Sequence, residues 1–283
     1  LELFWQSYAG WTQARPYPLA SEMPFEDPMF AGVGPGSWEE VARFVEGSGS
    51  NSFVRSLVRA LTELYDLGEE GITPENWERL DAEVRRRHGD DGWRDEVLDQ
   101  ARIERIITDP FNDPLLDARA ALGERYGSVL RINALAFGWH PESLDHNGNG
   151  AHRFARQLGR PLDTFDDYLA MLEVLVDTLA ERHQVGLKNA LAYDRSIDFD
   201  DVDEAAARRA WGQRDPTAHQ RKAFGDVVVD RLCRLAGERD VPFQMHLGSA
   251  RIRGSHPMNA AGLIERHPNT RFLLMHLAFP WCR

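Results

Sequence analysis

The sequence predicts an α/β protein with a parallel sheet, either open or closed into a barrel. From about residue 100 onward, short apolar runs alternate with helical segments, which is the pattern of strand–helix–strand units. Five such runs can be read, at 103–108, 129–137, 184–191, 242–248 and 271–278. Before them the pattern is helical only.

The elements follow in order. "LELFWQSYAGWTQ" reads as one amphipathic helix, and 15–37, rich in Pro and Gly, as a long loop. Over 51–66 the apolar residues Phe53, Val54, Leu57, Val58, Leu61, Leu64 and Tyr65 recur at helical spacing. Thr73 and Pro74 suit the cap and first residue of a helix running to His88. "DGWRDEVLDQA" reads as one more. Among the strand-like runs, 165–180 carries Phe165, Tyr168, Leu169, Leu172, Leu175, Val176 and Leu179 on one face. A further helix follows Asp215–Pro216, and a short one begins near Pro257. The stretch 140–162 is a polar loop or small insertion. The reading divides the chain into a helical region, 1–94, and a β/α region, 95–283, that carries the site.

Composition narrows the function. The 283 residues are 42% apolar and carry a formal net charge of −12. That is ample material for a core. An acidic surface argues against wrapping nucleic acid or lying on an anionic membrane, so a small-molecule partner is expected. No run of about 18 apolar residues suggests a membrane span. The opening residues lack the basic start and apolar centre of a signal peptide. The two cysteines, Cys233 and Cys282, suggest no disulfide framework and fit a reducing, cytoplasmic setting. The chain begins on Leu and stops just after a strand-like run, so a segment of a longer gene product is expected.

The candidate chemistry lies on the strands. In "PFQMHLG", Gln244, His246 and Gly248 share a face opposite Phe243, Met245 and Leu247. In a barrel the apolar set faces the helices and His246 points inward, near the C-terminal end where active sites sit. His276 holds the matching place in "RFLLMHLA". Two neutral imidazoles so placed suit one shared metal ion, although a lone strand histidine is more often a core residue. Lys188, between Gly186 and Ala190, reads as an inward lysine. A structural salt bridge, a carbamylated metal ligand and an acid/base group are all open for it. Arg131 and Asn133 form a similar polar pair. Arg195, Arg251 and Arg253 follow strands on rim loops and suit a substrate carboxylate, or solvated loop positions. Asp109 caps the next helix or touches the site. His140, His146 and His152, spaced by six, show no zinc pattern and read as surface residues.

"FQMHLG…RGSHPMNAAGLIERHPNTRFLLMHLAFPW" resembles the amidohydrolase superfamily, in its amidohydrolase-related branch, which includes decarboxylases and is related to uronate isomerases. The two histidine runs are similar to that family's fifth and sixth barrel strands, and "GLKNALAYDRS" to its fourth. The resemblance implies a TIM (β/α)8 barrel, incomplete here at strands two to six, with a helical N-terminal insertion. It implies metal ligation by His246 and His276, catalytic roles for His276 and Lys188, and substrate binding by Arg251 and Arg195. The implied cofactor is a divalent ion, with Zn²⁺ expected. The implied activity is hydrolysis of a small carboxylate-bearing substrate by a metal-activated water. An isomerase or decarboxylase on the same scaffold is the alternative, and a non-catalytic fragment a third reading. Two family features are missing: a His-x-His pair on the first strand and an Asp on the eighth. Open strand edges are expected to favour homo-oligomers.

Overall fold

A computed structural model describes residues 37–46, 52–90 and 92–282. The helix expected over 1–13, and nearly all of the loop expected over 15–37, lie outside the described residues. The chain divides into two compact units between Glu104 and Arg105.

The first unit is helical: α1 (Trp38–Val45), α2 (Ser52–Leu64), α3 (Trp77–His88) and α4 (Trp93–Gln100). Val41, Val54, Leu61, Ile72, Leu80 and Val84 form its core. The 3.6-residue spacing read over 51–66 places Val54 and Leu61 inside but leaves Phe53 on the surface. α3 starts later than Thr73–Pro74 suggested. The Asn76 side chain accepts from the Thr73 N–H at 2.9 Å and donates to the Gly71 carbonyl at 2.8 Å. That local turn competes with helix until residue 77.

The second unit holds a five-stranded, all-parallel sheet in the order β1 (Ile106–Thr108), β2 (Tyr126–Arg131), β3 (Gln184–Asn189), β4 (Phe243–His246) and β5 (Phe272–Met275). Helices connect the strands: α5 (Ala118–Leu122), α6 (Ala151–Gln157), α7 (Phe165–Asp177), α8 (Glu204–Ala210), α9 (Ala218–Glu238) and α10 (Ala261–Arg266). This is the predicted α/β architecture: an incomplete β/α barrel, with β1 and β5 as edges among the described residues. α6 lies inside the stretch read as a polar loop.

The outward faces of β2, β3 and β4 supply Leu130, Leu187, Phe243 and Met245, and Ile132 follows just past β2, all fully buried. They join Tyr168, Met171, Leu172 and Leu175 of α7 and Phe224, Val228 and Leu232 of α9 in one core. Each such side chain contributes about 1.5–3 kcal/mol by leaving water. α7 and α9 begin on capping boxes, Thr164 with Asp167 and Thr217 with Gln220. These fix where each helix starts and therefore which face meets the sheet.

Every strand is shorter than its apolar run. The 103–108 run loses its start because the Ile103 N–H still bonds the Leu98 carbonyl at 2.8 Å, closing off α4. The 129–137 run stops as strand at Arg131 and turns into a 3₁₀ segment, Asn133–Phe137. Asn133 drives this change: its Oδ1 accepts from the Ala190 N–H at 2.9 Å and its Nδ2 donates to Asp194 at 2.8 Å. At the end of β3, Asn189 Oδ1 likewise accepts from the Leu191 N–H at 2.9 Å. Asparagine side chains thus bend the chain at the C-terminal ends of two strands, the end where the inward residues converge.

Candidate active site

The register stacks the inward-facing residues in layers. Arg131 on β2 pairs with Lys188 on β3, and Lys188 pairs with Gln244 on β4. His246 stands one layer closer to the C-terminal end, paired with Met275. Lys188 and His246 are both buried, as the alternation read from sequence required.

His276 meets His246. Their ring centroids are 4.3 Å apart at 58°. His276 itself is exposed, not buried as its apolar run suggested, and it lies just past the end of β5. The chain there turns through three left-handed residues, His276, Leu277 and Ala278, with φ of 64°, 48° and 52°. Such a run costs of order 1–3 kcal/mol per residue and persists only where its surroundings impose it. The loop after β4 imposes it: the Ser249 N–H donates to the Phe279 carbonyl at 2.7 Å, and the Gly248 N–H donates to Ser255. Gly248, at φ 64°, has to be glycine, since a Cβ would overlap the Phe279 carbonyl. The glycine read from "HLG" is thus the contact that folds the His276 turn over His246.

The electrostatics favour neutral imidazoles. Burial pushes the His246 pKa down to about 3, helped by the charges of His276, Lys188 and Arg131. Partial burial and the Lys188 charge also lower His276. His246 Nε2 is buried and has no hydrogen-bond partner among the described residues. A buried, neutral imidazole nitrogen without a protein partner has a lone pair that can accept a hydrogen bond or bind a metal ion. Two imidazoles make half of a four-coordinate metal site. No three His, Cys, Asp or Glu among the described residues come together as a metal-holding group.

The floor of the site is charged. Arg131 and Asp109 form an ion pair at 2.7 Å. This resolves Asp109, which caps no helix; Asp117 caps α5 instead. Lys188 forms no salt bridge among the described residues, so the structural salt bridge held open for it is not made. Burial lowers its pKa; the Asp109 charge opposes that shift and Arg131 adds to it.

The two arginines assigned to substrate go to different places. Arg251 is exposed on the loop after β4, and its Nε donates to the Tyr193 carbonyl at 3.2 Å. Arg195 turns away to α9, where it pairs at 2.6 Å with Asp226, a fully buried carboxylate also held by Lys222. The structure therefore gives Arg195 a structural partner in place of the substrate contact expected of it.

Sequence reasoning passed over the two residues before Arg195. The Tyr193 ring sits 4.6 Å from His246. Asp194, almost wholly enclosed, accepts from Asn133 and from the His146 backbone N–H, and its Oδ2 lies 2.8 Å from His146 Nδ1. His146, read as a surface residue, is exposed and is also pinned, with its ring 5.2 Å from Tyr193. His152 is half-buried and stacks on Trp211. The polar dipeptide at the end of a strand in "AYDRS" was the available signal.

The second unit is an incomplete β/α barrel with two histidines, His246 buried and His276 exposed, side by side at the C-terminal ends of its strands. Residues 198–283 match the family described as Amidohydrolase. Among solved structures, uronate isomerase from Thermotoga maritima is similar at a TM-score of 0.60 and 15% identity, covering 82% of this chain. The chain spans 56% of that protein's length. No curated protein matches the sequence. The family match is confined to residues 198–283, and the likeness to uronate isomerase is one of fold. No helix among the described residues is long and apolar enough to cross a membrane.

Proposed function

We propose that the chain carries part of the active site of a divalent-metal-dependent enzyme acting on a small carboxylate-bearing substrate. The observation that supports this most is the orphaned, buried Nε2 of His246 with a second imidazole beside it. His246 and His276 are the residues that would hold the ion, with Zn²⁺ the expected metal for such nitrogen ligands; the rest of the ligand set is not among the described residues. When bound, the ion supplies a Lewis acid for a substrate carbonyl and activates water.

The chain's own residues do the rest. His246 stays neutral because it is buried, which keeps a lone pair available at near-neutral pH. His276, exposed at the mouth, is placed to steady negative charge developing on a substrate oxygen. Arg251 stands at the rim as the remaining arginine for a substrate carboxylate. Hydrolysis is the reaction we favour. Isomerisation is the second reading, supported by the fold shared with a uronate isomerase. A cytoplasmic setting fits two cysteines that form no disulfide. The exposed Leu273 and Leu274 of the edge strand β5 favour self-association.

Metal content per chain, measured by plasma mass spectrometry on the wild type and on His246→Ala, tests the proposal. Bound metal that is lost in the variant is expected. Metal retained undiminished in His246→Ala, or none in the wild type after zinc loading, overturns it.

A further inference from the structure

We infer that His146, aimed by Asp194, is a base at the mouth of the site, whose Nε2 takes a proton from a bound water or substrate hydroxyl and later gives it back. The inference rests on the functional reading above in taking the strand ends to be a reaction site.

The molecule supplies its own comparison. His183 meets Asp117 at 3.0 Å, His219 meets Asp201 at 3.2 Å and His267 meets Asp230 at 2.8 Å. None of these stands at the C-terminal end of a strand: His183 precedes β3, His219 opens α9 and His267 follows α10. The carboxylates differ too. The Asp194 side chain is 6% exposed, against 24–29% for the other three. Its Oδ2 accepts from Asn133 Nδ2 at 2.8 Å and lies 2.8 Å from His146 Nδ1, and its Oδ1 accepts from the His146 backbone N–H at 2.8 Å. Asn133 is fully buried and is fixed in turn by the Ala190 N–H. The loop is already closed by Asp145, which accepts from the Asn147 and Asn149 N–H groups, and is tied down through the His146 backbone. The ring's own bond to Asp194 is not needed to anchor the loop; it aims the imidazole.

The aim has a chemical result. A carboxylate only accepts, so Nδ1 carries the hydrogen and Nε2 keeps the lone pair. His146 is exposed, and its Nε2 has no partner among the described residues. The Tyr193 ring packs against both imidazoles, 5.2 Å from His146 and 4.6 Å from His246. One aromatic ring therefore lies between the aimed base and the buried histidine. When Nε2 takes the proton, the O–H electron pair stays on the oxygen, which attacks. The imidazolium then gives the proton to the group whose bond to carbon breaks. In this scheme His146 is the catalytic residue and Asp194 a positioning residue.

The first test needs neither metal nor substrate. Diethyl pyrocarbonate, which acylates unprotonated imidazole nitrogen, is applied to the chelated full chain at mildly alkaline pH. Modification is followed at each histidine by peptide mass spectrometry. The His146 side chain is 30% exposed, against 42% for His183 and 57% for His219, so access alone makes it the slowest of the three. The inference expects the reverse: His146 fastest, and slowed about tenfold in Asp194→Asn. A His146 rate at or below those of His183 and His219 overturns it, and that comparison needs no variant to fold. An unchanged rate in Asp194→Asn overturns it as well. The second test is turnover of 4-nitrophenyl acetate by the zinc-loaded chain. His146→Asn is expected to lower kcat about a hundredfold with KM and zinc content unchanged. A kcat equal to that of the wild type overturns the inference. A wild type that binds no zinc ends the functional reading, and the modification rates still decide this one; ordinary rates at His146 with zinc still bound leave the functional reading standing.

Discussion

Asp226 is the best place to test how the second unit is held together. Its side chain is completely buried on α9, where Arg195 donates at 2.6 Å, Lys222 at 2.5 Å and the Asp201 N–H at 2.9 Å. Asp226→Ala removes all three acceptor contacts and leaves Arg195 and Lys222 with the more distant Asp198 carboxylate, at 3.8 and 3.6 Å. Breaking a buried pair by removing one partner costs about 3–5 kcal/mol. The side chains of Arg195 and Lys222 are 17% and 33% exposed, so water recovers part of that. We therefore take the lower end, about 3 kcal/mol, in urea unfolding at neutral pH followed by circular dichroism. Arg195→Met leaves Asp226 with Lys222 and should cost about 2 kcal/mol. The double variant should cost less than the two singles together, with a coupling of about 2 kcal/mol. A loss below about 1 kcal/mol for Asp226→Ala, or strict additivity, would refute the reasoning and return Arg195 to the substrate.

Two further outcomes are expected. Chelated protein should lose stability on acidification below the ordinary histidine value of 6.5, because the unfolded state takes up a proton that folded His246, at about 3, does not. The loss is about 2 kcal/mol by pH 5 and approaches about 5 kcal/mol near the folded value. His152 and His276 act in the same direction, so the slope must be read as the difference from His246→Leu in a denaturation series; equal slopes would sink it. Gly138→Ala should cost about 2–3 kcal/mol, since its Cβ would overlap the hydroxyl of Tyr168, which is fully buried and bonded to the Leu135 carbonyl. A near-neutral thermal midpoint for this variant would contradict that packing.

The strands were legible because their outward faces are apolar and buried: Phe243 and Met245 advertise β4, and Leu187 marks β3. The ends of the strands were not, because Asn133 and Asn189 stop them by side-chain bonds that look like ordinary strand polarity in a sequence. His246 could be read from alternation alone. The exposure of His276 was not legible, because its position past the end of β5 depends on a left-handed turn packed against Gly248 and the Phe279 carbonyl. Arg195 was misread for a different reason: its partner lies 31 residues later on a helix, and no local pattern announces the pair. Asp194 and His146, 48 residues apart, were missed likewise.

The strands lie across the sheet in the order in which they are synthesised. Each new one pairs with its predecessor, as Phe243 does with Leu187 and Phe272 with Phe243. None has to slip between two already joined. A nascent chain can therefore extend this sheet at a single advancing edge, one β/α unit at a time. Lys188 takes its place early, on β3, whereas His246 arrives on β4 and His276 just after β5. The charged floor is laid before the imidazoles, and a polypeptide arrested ahead of Phe272 would own the helices, the core and the lysine but only one of its two paired histidines.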